Sequence, residues 1–194
     1  MSAVQHELVG RDRIVATARQ LFTNQGFHQT PMSELASEAD VSVGQIYRFF
    51  TGKSALIRAI IREDATARIA EMTAVRAELD AGHITVEAAL TELCLQALQN
   101  GNEALSFDIL AEAHRDAEVA ATIAEFCRAG RLVIGGLALA VNPDVSEVQR
   151  EGAEEMILAL MFGLGHRTLS QPSMTPEETA KRTADMVYSA LRAL

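Results

Sequence analysis

The sequence predicts an all-α fold of about nine helices. Three short helices ending in a helix–turn–helix come first, and a longer C-terminal helical bundle follows. Three observations carry this. Apolar residues recur at i, i+3, i+4 and i+7, as in Met32, Leu35, Ala36 and Ala39, and again in Ile157, Leu160, Met161 and Leu164. Helix-start signatures recur as well: Ser42 with Gln45, Ser146 with Gln149, and Thr175-Pro176 with Glu178. Trp is absent, and the prolines Pro31, Pro143, Pro172 and Pro176 all fall at element boundaries.

Taken in order, residues 1–9 read as a loose arm. The first helix runs from about Arg11 to Asn24, with Ile14, Ala18, Leu21 and Phe22 on one face and Gly26 as its C-terminal stop. Phe27 packs the corner. Thr30 is expected as the cap of the second helix, with Pro31 at its first position. Asp40 breaks the pattern. Ser42 and Gln45 form a capping box for the third helix, and Val41 with Ile46 forms a hydrophobic staple that fixes its exit angle. Ile46, Phe49 and Phe50 anchor inward, leaving Gln45, Tyr47 and Arg48 more exposed. After Thr51-Gly52 the fourth helix starts near Lys53 and runs to about Leu79, with Leu56, Ile57, Ile60 and Ile61 in the core; it reads as the mechanical link to the body.

Residues 80–83 break the chain. Thr85 opens the fifth helix, which carries Val86, Leu90, Leu93 and Ala97 on one face. Residues 100–102 are a turn. The sixth helix spans about 103–115 and the seventh about 118–140. Gly130, Gly135 and Gly136 inside the seventh each cost roughly 1 kcal/mol against Ala, and read as permitting close approach or a kink. After the loop at 142–144, Ser146 opens the eighth helix, which closes around 163–172. The ninth carries Ala180, Ala184, Val187, Leu191 and Leu194 at alternating spacings of four and three. No internal repeat is visible.

The net charge of −9 argues at first against a polyanionic partner. Its distribution changes that reading. Residues 1–62 hold Arg11, Arg13, Arg19, Arg48, Lys53, Arg58 and Arg62 against Glu7, Asp12, Glu34, Glu38 and Asp40. A mildly basic end on an acidic body suits a modular DNA binder. Cys94 and Cys127 lie far apart in apolar helical contexts and read as buried, unreactive thiols. No secretory signal is visible, and the apolar stretches 132–141 and 156–165 are shorter than the roughly 18 residues a membrane span needs. The expectation is a cytoplasmic protein with no membrane partner.

The stretch RDRIVATARQLFTNQGFHQTPMSELASEADVSVGQIYRFFTGKSALIRAII resembles the N-terminal DNA-binding domain of TetR/AcrR-type transcriptional regulators. Ala18, Leu21, Phe22, Gly26, Thr30, Leu35, Ala36, Ala39, Val41, Ser42, Ile46, Tyr47, Phe50, Lys53 and Leu56 carry the likeness. Asp40 departs from it, since the family usually has Gly there. Asp tolerates left-handed backbone better than most residues, so the turn is expected to survive. The corresponding domains are 1–52, the arm and helix–turn–helix, and 53–194, the ligand-binding and dimerisation part.

A rigid helix–turn–helix presents its second helix to a DNA major groove. The candidate DNA contacts are Thr30, Ser42, Val43, Gly44, Gln45, Tyr47, Arg48 and Lys53. Gly44 has no side chain to hold the helix N-terminus away from DNA. Gln45 suits adenine, and Arg48 guanine or phosphate; Thr30 is a phosphate candidate. The resemblance implies a backbone contact for Tyr47 and a phosphate contact for Lys53. Tyr47 packed on the first helix, Arg48 as a solvated charge, and capping alone for Thr30 and Gln45 are the bland alternatives.

One such helix buries too little to be selective, so a homodimer reading a palindromic double-stranded DNA operator is expected. Ile157, Leu160, Met161, Leu164, Val187, Tyr188 and Leu191 are the candidate interface residues; burial inside the chain's own body is the alternative. The resemblance further implies a small-molecule effector that changes the separation of the recognition helices, more often releasing a repressor. Met72, Cys94, Leu98, Phe107, Leu110, His114, Phe126 and Arg131 are the candidate effector contacts. No cofactor or metal site is expected: Glu112-Ala113-His114 has the wrong spacing for a di-metal helix pair, and no phosphate loop or nucleophile elbow occurs. An enzyme is therefore not expected. An effector-independent DNA-binding dimer and a thiol-responsive regulator remain as alternatives.

Overall fold

The computed structural model describes residues 3–99 and 103–194. Among them the regular elements are all helical: α1 (Ala3–Gln25), α2 (Met32–Glu38), α3 (Val43–Phe49), α4 (Lys53–Asp80), α5 (Val86–Leu98), α6 (Glu103–Ala113), α7 (Ala117–Val141), α8 (Glu147–Gly165), a 3-10 turn over Arg167–Ser170, and α9 (Pro176–Arg192). None of these helices is long and apolar enough to cross a membrane. The turn expected at 100–102, and residues 1 and 2 of the expected arm, lie outside the described residues. Residues 3–9 are not a loose arm but the first turns of α1. Only Gly10 interrupts the helix formers there, at a cost of about 1 kcal/mol that a long helix absorbs.

The described residues form two compact units, 3–65 with 103–124 and 66–99 with 125–194. The sequence places a boundary at 52/53; packing puts it inside α4 and adds α6 and the start of α7 to the N-terminal unit. The reason is visible in the core. Leu105 and Val119 are buried in one cluster with Ile14, Val15, Ala18 and Phe22 of α1, Leu35 of α2, Ile46 of α3, and Leu56, Ile57 and Ile60 of α4. Each large apolar side chain so buried contributes about 1.5–3 kcal/mol.

Local signals set the ends of these elements. Gly26 adopts φ 91° and stops α1. The cap of α2 is Pro31 and not Thr30. Thr30 is fully buried, and its Oγ1 donates to the Gly26 carbonyl at 3.0 Å, close to the end of α1, where helix carbonyls lack intrahelical partners. Asp40 takes φ 50°, the left-handed turn between α2 and α3, and its carbonyl accepts from Arg13 Nη2 at 3.2 Å. The capping boxes at Ser42, Ser146 and Thr175 all form. Asp116, which the sequence reading passed over, accepts from the Glu118 and Val119 amides and opens α7.

In the second unit α5 packs against α8 and α9. Leu90, Leu93, Cys94 and Ala97 meet a cluster that includes Ile157, Leu164, Ala180, Ala184, Val187 and Leu191. The close approach at Gly135 and Gly136 is made by side chains. A Cβ at Gly136 would land on the Arg76 guanidinium, and one at Gly135 on the Glu154 carboxylate. Arg76 also pairs with Asp80 at 2.7 Å, and the buried Glu154 pairs with Arg150.

Asp40→Val is expected to lower stability by about 1–3 kcal/mol, because a β-branched residue fits the left-handed region poorly. Asp40→Gly is expected to be neutral or stabilising. Urea unfolding midpoints of the two variants check this; equal midpoints would remove the backbone argument.

Candidate DNA-contact helix and effector pocket

α3 has only seven residues, and its two sides differ sharply. Ile46 has no exposed surface and Phe50, its C-cap, is buried, with Phe49 packed against the same core. Ser42, Val43, Gly44, Gln45, Tyr47 and Arg48 are all exposed, Tyr47 to 53%. The sequence-predicted contacts on α3 thus share one solvent-facing surface. A Cβ at Gly44 would meet only Ser42 Oγ, at 3.9 Å, so the fold itself does not require glycine there. The Arg48 guanidinium lies 5.0 Å from the Phe49 ring centroid. Gln45 is doubly used: its Oε1 accepts from the Ser42 N–H at 2.8 Å, while Gln45 N donates to Ser42 Oγ at 3.1 Å. A bidentate contact to adenine needs that same oxygen, so base reading by Gln45 competes with the cap.

Two of the predicted contacts sit elsewhere. Thr30 is buried with its hydroxyl engaged, so its side chain offers no surface for a phosphate. Lys53, at the start of α4, is half-buried, and Nζ donates to the Phe27 carbonyl at 2.7 Å and the His28 carbonyl at 3.1 Å. Burial lowers its pKa, with the Glu112 carboxylate acting in the opposite direction. α6 grips the same turn: Asp108 Oδ2 accepts from the Phe27 amide at 2.8 Å, and Glu112 lies 3.0 Å from His28 Nε2. The chain leaving α1 is therefore held by three charged side chains far away in sequence. No local spacing could have announced this.

The second unit contains a pocket of about 160 Å³. Arg68 and Met72 of α4, Leu93, Gln96 and Ala97 of α5, Phe126, Cys127 and Gly130 of α7, and Leu158, Met161 and Phe162 of α8 line it. Of the expected effector contacts, only Met72 and Phe126 are among them. Cys94 is buried in the α5–α8–α9 core, and Leu98 packs on that core. Phe107, Leu110 and His114 belong to the other unit, with Phe107 and His114 exposed. Arg131 is partly exposed on α7 and does not line the pocket. The missed residues Arg68, Gln96, Leu158 and Phe162 carried a signal: each lies three or four positions from another wall residue on its helix.

The thiols differ. Burial pushes the Cys94 thiol up to about 11. Cys127 is only partly buried and forms part of the pocket wall, against the expectation that both would be core thiols.

The expected dimer residues divide as well. Ile157, Leu164, Val187 and Leu191 are buried in the second unit's own core, because the i, i+3, i+4, i+7 stripe is the inward face of α8 and α9. Met161 and Tyr188 are half-buried, and Leu160 is 39% exposed. The apolar side chains exposed on these helices are instead Val148, Met156, Leu160, Phe162 and Met186.

Two outcomes follow from this geometry. Lys53→Met removes a charged donor from two carbonyls and is expected to cost about 1–3 kcal/mol in urea unfolding; no loss would show that the clamp does not hold the turn. Ellman's reagent at pH 8 is expected to titrate Cys127 and leave Cys94 unreacted until urea is added, since a thiol with a pKa near 11 is about one part in a thousand ionised there. Two equally fast thiols would overturn that assignment.

The family described as "Bacterial regulatory proteins, tetR family" matches residues 14–60, which run from the first buried residue of α1 through the core residues of α4. The transcriptional regulator UidR of Escherichia coli strain K12 is 29% identical over 161 residues, covering 79% of this chain and 79% of UidR. Among solved structures, a bacterial regulatory protein in the tetR family from Rhodococcus RHA1 superposes with TM-score 0.72 at 22% identity, covering 98% of each chain. The transcriptional regulator FadR from Bacillus subtilis, solved with stearoyl-CoA, gives TM-score 0.74 at 16% identity, covering 93% of this chain and 98% of FadR. The matched segment is the one that builds the exposed face of α3, so residues 14–60 are a segment of the TetR type, in a chain that is similar over most of its length to transcriptional regulators.

Proposed function

We propose that the chain is a repressor that binds a palindromic operator as a homodimer through α3 and is released by a small-molecule effector. The observation that carries the reading is the two-sidedness of α3. Ile46 fixes the helix from below, and Ser42, Val43, Gly44, Gln45, Tyr47 and Arg48 stand together in solvent. A face of small and hydrogen-bonding residues at a helix N-terminus suits close approach to phosphates and base edges. Lys53 adds positive charge at the start of α4, although Nζ would have to share its carbonyl partners with a phosphate.

Dimerisation is proposed through the outward faces of α8 and α9. Met156 and Met186 are exposed to 70% and 74%, with Leu160 one turn beyond Met156. Exposed apolar side chains one turn apart on a helix, as Met156 and Leu160 are, offer a surface to a partner helix. The effector reading rests on the apolar pocket in the second unit; the similar FadR structure holds stearoyl-CoA. A cytoplasmic location goes with this reading, since a regulator of this kind works on chromosomal DNA. A thiol-responsive regulator is the second reading, favoured by Cys127 in the pocket wall.

The first experiment is selection of genomic DNA fragments by the purified protein at near-physiological salt. A short palindrome is the expected product; binding that is only salt-sensitive and sequence-independent would defeat the reading. With that operator in hand, Gly44→Ala is expected to leave the thermal midpoint unchanged or higher, since Ala is the better helix former, yet weaken operator binding about tenfold or more. Unchanged affinity would take α3 away from the DNA. Met156→Glu with Met186→Glu is expected to turn a sedimenting dimer into a folded monomer; a persisting dimer would remove this face from the interface.

A further inference from the structure

We infer that Gln45, held in its capping box, reads guanine in the operator and not adenine. This rests on the operator reading above and specifies which base edge α3 recognises. A glutamine amide has two ends: an oxygen that accepts and an –NH2 group that donates. Adenine presents the matching pair in the major groove, with N7 accepting and the N6 amino group donating, so a free glutamine suits adenine. Here the oxygen is already committed. Gln45 Oε1 accepts from the Ser42 N–H at 2.8 Å, and the reciprocal bond from Gln45 N to Ser42 Oγ is 3.1 Å. A main-chain N–H can only donate, so turning the amide end for end would set two donors against each other. What remains of the side chain for a partner is Nε2, which donates and does not accept.

Gln45 is exposed together with Val43, Gly44, Tyr47 and Arg48, so that donor belongs to the surface α3 offers to a groove. Releasing the oxygen is costly at this position. α3 has seven residues and no stability of its own, and the box closes its first turn. A freed Ser42 N–H would also lose access to water once DNA covered it. A group that only donates is met best by guanine, whose N7 and O6 are neighbouring acceptors. Adenine sets its N6 amino group against the donor, cytosine presents only a donor, and thymine has the single acceptor O4 beside its methyl group.

The test uses the full-length chain and selection from random duplex DNA, followed by affinities for single-base variants of the selected site. The base facing Gln45 is the position whose preference is lost in Gln45→Ala, which separates it from a guanine read by Arg48. The unaltered chain is expected to prefer guanine there over adenine by about tenfold. Replacing that guanine by 7-deazaguanine removes N7; it is expected to weaken the unaltered chain about threefold or more and to leave Gln45→Ala unchanged. Gln45→Glu keeps the box, because glutamate serves that position as well as glutamine, but turns the outer end from donor to acceptor. The preferred base is expected to change from guanine to cytosine, at lower total affinity because a carboxylate then faces the phosphates. Circular dichroism and thermal midpoints report the folding of both variants, and Gln45→Glu still locates the position if Gln45→Ala does not fold. Adenine, thymine or cytosine preferred by the unaltered chain at that position, or no position altered by either substitution, overturns the inference; adenine would mean that the oxygen leaves the box on DNA. Failure to enrich any site defeats the operator reading and this inference with it, a different result from a palindrome with the wrong base.

Discussion

A seven-residue helix has no stability of its own in water, so α3 depends on the side chains that tie it down, Ile46 foremost. Ile46 sits in the middle of α3 and has no exposed surface. Around it lie Phe50, Leu35 and the α1 residues Ile14 and Ala18, all buried in one cluster. The Ser42–Gln45 box closes the first turn, and the left-handed Asp40 sets the direction from which the chain enters. Everything on the exposed side of α3 inherits its position from that anchor. Labour is divided only in part: Ile46 and Phe50 hold the helix from the buried side, while Ser42 and Gln45 close its first turn from the exposed side.

The N-terminal part was largely legible because its signals are local. Capping boxes, a proline at a first helical position and a glycine stop act over three or four residues, and the structure follows them at Gly26, Ser42, Ser146 and Thr175. Thr30 misled for a physical reason. A threonine before Pro-Met-Ser is as well suited to donate backward to a helix carbonyl as to accept from the amides ahead, and burial beside Gly26 selects the first. The Asp108–Phe27 and Lys53–Phe27 bonds link residues far apart in sequence, which no periodicity encodes.

The body was less legible because its helices are apolar on more than one side. On α8 the regular stripe of Ile157 and Leu164 marks the inner face, so the same spacing that revealed a helix concealed which residues face outward. The pocket is subtler still. Its walls come from α4, α5, α7 and α8, each giving two or three residues one turn apart. Single-helix patterns show such groups, but only packing shows which groups face one another. Met72 and Phe126 were within reach of that reasoning; Gln96 and Arg68 looked like ordinary surface residues.

Gly136 has a further consequence, for how this sequence can change over generations. The Arg76 guanidinium occupies the space that a methyl group at 136 would need. Alanine would otherwise be the better residue in a helix interior. Replacement at 136 is therefore coupled to what stands at 76: with arginine present the new methyl must displace a charged group from its place beside Asp80, and with a short side chain at 76 that contact is gone. The two sites are epistatic, so the order in which substitutions arrive decides which are tolerated.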